Sequence, residues 1–241
     1  MHRINIWSSP RNISTAFMYS FAQREDATVF DEPLYAHYLT KTNSTAEHPG
    51  TTEILDSQEN SGKEVVKDLI LGNHSTDVVL FKQMTHHLIH LNEDFLFKTQ
   101  NILLIRDPQR IIASYAKVIA NPQMHDIGIQ KQYELFKQLE KGGNVAAVVD
   151  ARQLLLNPRK VLEILCQRLD IPFDEKMLTW KAGARPEDGV WAKYWYTNVH
   201  QSTGFQPYVE KTVTLPKKLA LLAKDCQHYY DFLFSYAIKS Y

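Results

Sequence analysis

Two cysteines in 241 residues, Cys166 and Cys226, are too few for a disulfide framework. Both fall on apolar helical faces, so they read as buried thiols in a reducing compartment. Net charge is missing as well, because 27 basic residues balance 27 acidic ones. Over the whole chain that balance gives no reason to expect nucleic acid or an anionic membrane as a partner. No apolar run approaches the ~20 residues that span a bilayer, and no basic stretch followed by an apolar one predicts a leader. The expectation is a soluble cytoplasmic protein without nucleic-acid or membrane partners. A Walker A pattern is also missing: GxxxxGK[ST] requires two glycines and a lysine, and the first strand–turn–helix corner has neither. His86, His87 and His90 have no carboxylate or cysteine at ligand spacing, so no metal is expected.

What is present is a chain of alternating strands and helices with three chemical stretches. In the first, Ile4, Ile6 and Trp7 form a buried strand that Pro10 ends. Ser14 or Thr15 is the expected N-cap of the next helix, whose buried face carries Phe17, Met18 and Phe21. Such a corner aims backbone N–H groups and the positive end of a helix at one point, which makes an anion site. In the second, an apolar strand over Asp77–Lys82 runs into Thr85-His86-His87, and a neutral histidine takes up a proton near neutral pH. In the third, strand Ile102–Ile105 leads to Arg106, to Asp107 as a cap and to Pro108 in a first turn. Ile111, Ile112, Tyr115, Val118 and Ile119 then mark one core face, and an arginine fork with the Ser114 hydroxyl suits a phosphate.

The rest reads as scaffold. Thr28–Phe30 is a short strand ending in Asp31-Glu32, and Val145–Val149 is another. Helices are predicted over 127–140, stopped by Gly142-Gly143, from Asn157-Pro158 through Leu169, and over 216–238. Residues 41–63, with Asn43, Ser44 and Thr45, are polar and predict a lid or mobile loop. The alternation predicts one α/β domain over 1–241, three layers deep (α/β/α), with a central, mostly parallel sheet and ligands at the strands' carboxyl ends.

Several of these stretches resemble the sulfotransferases that use 3′-phosphoadenosine-5′-phosphosulfate (PAPS). Pro10-Arg11-Asn12-Ile13-Ser14-Thr15 is similar to that family's 5′-phosphosulfate loop, P-[KR]-S-G-[ST]-[ST], and departs from it at Ile13 in place of glycine. Arg106 and Ser114 match its 3′-phosphate ligands. Thr85-His86 matches its Thr-His pair, whose histidine is the base, with His87 inserted before Leu88. Glu32 resembles an acceptor contact, and Lys181 and Arg185 stand where a C-terminal basic loop would reach phosphate. One ring of the aromatic cluster between Trp180 and Phe205 would stack on adenine, and that region is similar to a subgroup labelled branched-chain aminotransferase-like. The resemblance implies a P-loop NTPase-like sulfotransferase fold. It places Arg11, Asn12, Ser14, Thr15, Arg106 and Ser114 on the donor PAPS. It gives catalysis to Arg11 with His86 or His87, acting on the hydroxyl or amine of a small-molecule acceptor. The alternatives on this scaffold are a P-loop nucleotide kinase and a non-catalytic nucleotide-binding module.

Overall fold

The computed structural model describes residues 1–42, 48–117, 119 and 121–241; Asn43, Ser44, Thr45 and Val118 lie outside the described residues. Five strands form the sheet: β1 (His2–Ser8), β2 (Ala27–Asp31), β3 (Val78–Met84), β4 (Gln100–Ile105) and β5 (Val145–Asp150). Their order is β2-β3-β1-β4-β5, and every pairing is parallel. The helices that flank it and concern the site are α1 (Ser14–Phe21), α2 (Tyr35–Lys41), α3 (Pro108–Tyr115), α4 (Ile129–Lys141), α5 (Pro158–Arg168) and α6 (Lys217–Ser235).

The period of two along each strand sorts the core into two layers. Ile4, Ile6, Leu80, Ile102 and Leu104 face α1 and α5 and pack with Phe17, Phe21, Leu162 and Leu165. Trp7, Val79, Phe81, Leu103 and Ile105 face the other way, onto α3, α4 and α6 through Ile111, Phe136 and Leu233. Burial on both faces explains why β3 is apolar almost throughout, and it runs to Met84, two residues beyond the sequence expectation. Cys166 and Cys226 are buried free thiols in these two layers. An unforeseen helix, Ala151–Leu156, precedes α5, and α3 stops at Tyr115 rather than reaching Ile119. Within 41–63, a helix over Thr51–Ser57 buries Ile54 among Tyr35, Tyr38 and Trp191.

The sheet parts at its carboxyl edge, where β1 sends the chain one way to β2 and β4 lies on the other side. Such a switch point opens a crevice. The carbonyls freed there are claimed by Gln132 of α4, whose amide donates to Trp7 O (2.8 Å) and Leu104 O (3.0 Å) and accepts from Ser9 Oγ (3.1 Å). As expected, Asp107 caps α3, accepting the Gln109 N–H at 2.8 Å, with Pro108 in the first turn. Asp107→Ala is expected to cost about 1 kcal/mol and to lower Tm by about 2–4 °C in thermal unfolding. An unchanged Tm would mean that the cap contributes nothing.

Candidate functional site

A cleft of about 1030 Å³ opens over the carboxyl ends of β1, β3 and β4. Its lining contains Arg11, Asn12, Ser14, Thr15, Arg106, Ser114, Glu32, His86 and His87. They divide between a cationic end and an aromatic, histidine-bearing end.

The cationic end is built on the turn between β1 and α1. Arg11 sits in the left-handed region at φ 56°, a strained position for a residue with a Cβ. It is held there by Arg106, whose Nη1 donates to the Arg11 carbonyl at 2.6 Å. The Arg11 side chain reaches across and donates from Nε to Ser114 Oγ (3.1 Å). Asn12 braces the turn: its amide donates to Leu104 O at 2.9 Å and its oxygen accepts the Ile13 N–H at 2.8 Å. This corrects the expected cap. Ile13 is the N-cap and makes no side-chain bond, while Ser14 and Thr15 are the first two helical residues. The Asn12 side chain takes the first orphan N–H, so the helix starts one residue sooner. Because the left-handed residue is Arg11, Ile13 keeps φ at −95° and needs no glycine. The N–H groups of Ser14, Thr15 and Ala16 precede the first intrahelical bond, Phe17 N to Ile13 O, and belong to the cleft wall.

Arg106 is a crowded cation. Burial lowers its pKa first, and the guanidinium charges of Arg110 and Arg11 lower it further, so a bound anion would relieve the repulsion. Arg110 lines the cleft one helical turn on, stacked over Tyr208 at 4.9 Å and paired with Glu210 at 2.9 Å. These contacts tie down the segment after Gly204, which brings Lys211 to the cleft. Lys181 and Arg185 do not line it. Arg185 is turned to Glu187 (2.6 Å) and over the Tyr19 ring, where with Asp188 it braces α1 from outside the cleft. Lys211 is the lysine that this C-terminal segment brings to the cleft lining, and no periodicity or turn signal in 206–215 points to it.

At the other end, register places Lys82 of β3 beside Asp31 of β2. The buried Lys82 ammonium donates to Asp31 Oδ1 (2.7 Å), Glu32 Oε1 (2.7 Å) and Tyr196 Oη (2.6 Å), using all three of its N–H bonds. Tyr196 in turn donates to Asp31 Oδ2 at 2.7 Å. Burial alone would lower Lys82, but the carboxylates outweigh it and hold its pKa well above the ordinary value. For Glu32 burial wins and raises its pKa, against the pull of Lys82. Gly189 closes the floor, its N–H on Asp31 Oδ2 at 3.1 Å; a Cβ there would meet the Trp191 ring at 2.2 Å. Glu32, like Arg11, is a left-handed residue with a side chain (φ 44°), and its N–H continues the ladder to Lys82 O. None of the three partners of Lys82 was legible as a network before the register was known.

His86 and His87 follow β3 in a 3₁₀ turn, while His90 is exposed. Both imidazoles are held neutral by burial, His86 down at about 3 and His87 well below the usual histidine value, with His86 as the next cause. Trp191, Trp195, Tyr196 and Phe205 of the aromatic stretch wall the cleft, whereas Trp180 is core behind α1. Among the described residues no three His, Cys, Asp or Glu side chains are grouped to hold a metal ion, and no helix is long and apolar enough to cross a membrane.

A family profile described as a sulfotransferase domain matches residues 2–230. Two curated relatives are from Arabidopsis thaliana. Branched-chain-amino-acid aminotransferase-like protein 2 is 37% identical over 234 residues, 97% of this chain and 41% of that protein. Branched-chain-amino-acid aminotransferase-like protein 1 is 41% identical over 214 residues, 88% of this chain and 38% of that protein. The chain therefore spans less than half the length of either relative. The fold is shared with the sulfotransferase domain of the Synechococcus PCC 7002 olefin synthase (TM-score 0.57, 20% identity, 99% of this chain and 96% of that one). It is shared also with mouse sulfotransferase SULT7A1 complexed with PAP (TM-score 0.53, 10% identity, 97% and 83%). With nearly its whole length matched by the profile, this chain belongs to the sulfotransferase domain family.

Proposed function

We propose that this chain, acting as one cytoplasmic domain, transfers a sulfuryl group from PAPS to a hydroxyl or amine of a small-molecule acceptor. The observation that carries the reading is one cleft lined at one end by Arg11, Arg106, Ser114 and the start of α1, and at the other by the buried imidazoles of His86 and His87. Arg11 and the free N–H groups of Ser14 and Thr15 suit the 5′-phosphosulfate, and Arg106 with Ser114 suits the 3′-phosphate. Asn12 shapes the loop, since both ends of its amide are already engaged. That a fold relative was crystallised with PAP supports the same donor.

In the transfer, the acceptor oxygen or nitrogen bonds to sulfur as the bond from sulfur to the bridging phosphate oxygen breaks. The acceptor proton passes to His86 or His87, and 3′,5′-bisphosphoadenosine departs. Negative charge grows on the leaving phosphate, which the Arg11 guanidinium and the N–H groups at the start of α1 would stabilise. Glu32 stands on the acceptor side, at the foot of the aromatic wall.

Calorimetric titration tests this. The chain is expected to bind 3′,5′-bisphosphoadenosine at least about tenfold more tightly than ATP with magnesium, a difference of about 1.4 kcal/mol, and to do so without magnesium. Binding of ATP–magnesium alone would make the cleft a kinase site. Binding of neither would leave a fold without its donor.

A further inference from the structure

We propose that Glu32 is the positioning residue that sets the tautomer of His87, placing the proton on Nδ1 and leaving Nε2 as the nitrogen that meets the acceptor. This rests on the sulfuryl-transfer reading, in which one of two histidines takes the acceptor's proton, and it decides between them.

The His87 ring is fixed before any charge is considered. It stacks between Tyr35 and Tyr38 of α2, with centroids 4.7 and 4.8 Å away and planes within 18° and 24° of its own. Its plane is therefore set, and the remaining question is which nitrogen carries the proton. Nδ1 is sealed from solvent and has no hydrogen-bond partner among the described residues. The ring nevertheless belongs to the cleft lining, and Nε2, unlike Nδ1, is not a sealed atom without a partner, which leaves it as the nitrogen for the acceptor. Facing the sealed Nδ1 is Glu32 Oε2, at 3.9 Å. A lone pair buried at Nδ1 would point at a carboxylate oxygen, whereas an N–H there points at an acceptor. The second arrangement is favoured, and more strongly so in the low dielectric of a sealed site.

Glu32 is built for this task. Its Oε1 is bound by Lys82, which Asp31 and Tyr196 hold in place, so the carboxylate is oriented and Oε2 is left over for His87. Among the described residues, the other charged or titratable groups that act on His87 are His86, His48, Lys82 and His37. All carry or can carry positive charge, so they oppose a second proton on the ring and leave the first one's position to Glu32. His86 differs. Its Nδ1 is sealed and unpartnered too, but among the described residues only His87, His125 and His200 come within ion-pair range of a carboxylate.

The test is proton–nitrogen correlation spectroscopy on the full chain with isotope-labelled histidine, the His87 signals being assigned by His87→Gln. In the wild type His87 is expected as the Nδ1–H tautomer, with an imine-type Nε2. In Glu32→Gln, Nε2 is expected to shift to the protonated, amine-type position in part or fully, while the His86 pattern stays. An Nε2–H tautomer in the wild type would overturn the proposal even if Glu32→Gln does not fold, and so would an unchanged tautomer in a folded Glu32→Gln. No donor enters this measurement. Failure to bind bisphosphate with the expected tautomer would sink the transferase reading and, with it, the acceptor role of Nε2, whereas the wrong tautomer with bisphosphate bound would sink this proposal alone.

Discussion

Arg106→Ala is expected to weaken 3′,5′-bisphosphoadenosine binding by about 100-fold or more. Two charge-assisted hydrogen bonds to a phosphate contribute about 3 kcal/mol or more together, and each 1.4 kcal/mol is about tenfold in affinity. The loss should exceed that of a simple phosphate contact, because Arg106 also holds the carbonyl of Arg11 at 2.6 Å. Without that bond the Arg11 backbone loses its direct hold and only the Asn12 brace remains, so the loop can relax away from the geometry that presents the Ser14 and Thr15 N–H groups. Ser114→Ala removes one neutral hydroxyl and a partner of Arg11, and is expected to cost about tenfold. Lys181→Ala, outside the cleft, should stay within about twofold. Calorimetry gives the three affinities, and thermal unfolding shows whether each variant keeps its fold. Equal affinities for Arg106→Ala and wild type would remove the 3′-phosphate from this end of the cleft.

Much of this architecture is legible in the sequence because sheets covered on both faces write apolar runs, and because proline, asparagine and aspartate punctuate helix starts. β3, β4, β5 and the caps at Asp107 and Asn157 follow from that alone. The donor loop is legible through its resemblance, down to the odd Ile13. The geometry that accommodates Ile13 is not, since the left-handed residue turns out to be its neighbour-but-one, Arg11. Contacts set by register or by irregular backbone escape a linear reading. Asp31 and Lys82 become partners only once β2 and β3 are paired, fifty-one positions apart. Gln132 lies on a helix face that reads as apolar, yet its amide is the piece that satisfies the splayed strand ends. Lys181 and Arg185 are plausible by composition, but the chain between Pro172 and Pro216 has little regular structure. Its path, and hence which lysine reaches the cleft, is decided by the clasp of Arg110 and Arg152 on Tyr208 and Glu210.

The second large effect is expected at the cleft floor. Lys82→Met keeps the volume and apolar stem of the side chain but removes the cation that Asp31, Glu32 and Tyr196 share. Breaking a buried pair from one side strands the other charge, at a cost of about 3–5 kcal/mol, or about 6–20 °C in Tm for a chain of this size. The penalty is expected to depend on pH in a definite direction. Burial already raises the Glu32 pKa with Lys82 present, and without it the rise is larger. A carboxyl whose folded pKa lies above its unfolded one contributes stability that is complete below the unfolded value and is lost as pH climbs through the folded value. Lys82→Met should therefore recover towards wild type as the pH is lowered from about 8 to about 5, even though most proteins lose stability in acid. Denaturant titrations of both chains across that range supply the measurement. A penalty that stays constant or grows in acid would show that Lys82 stabilises by packing rather than by charge. Glu32 would then have no fixed cation to orient it, and the ordered floor from Asp31 through Lys82 to His87 would come apart at its centre.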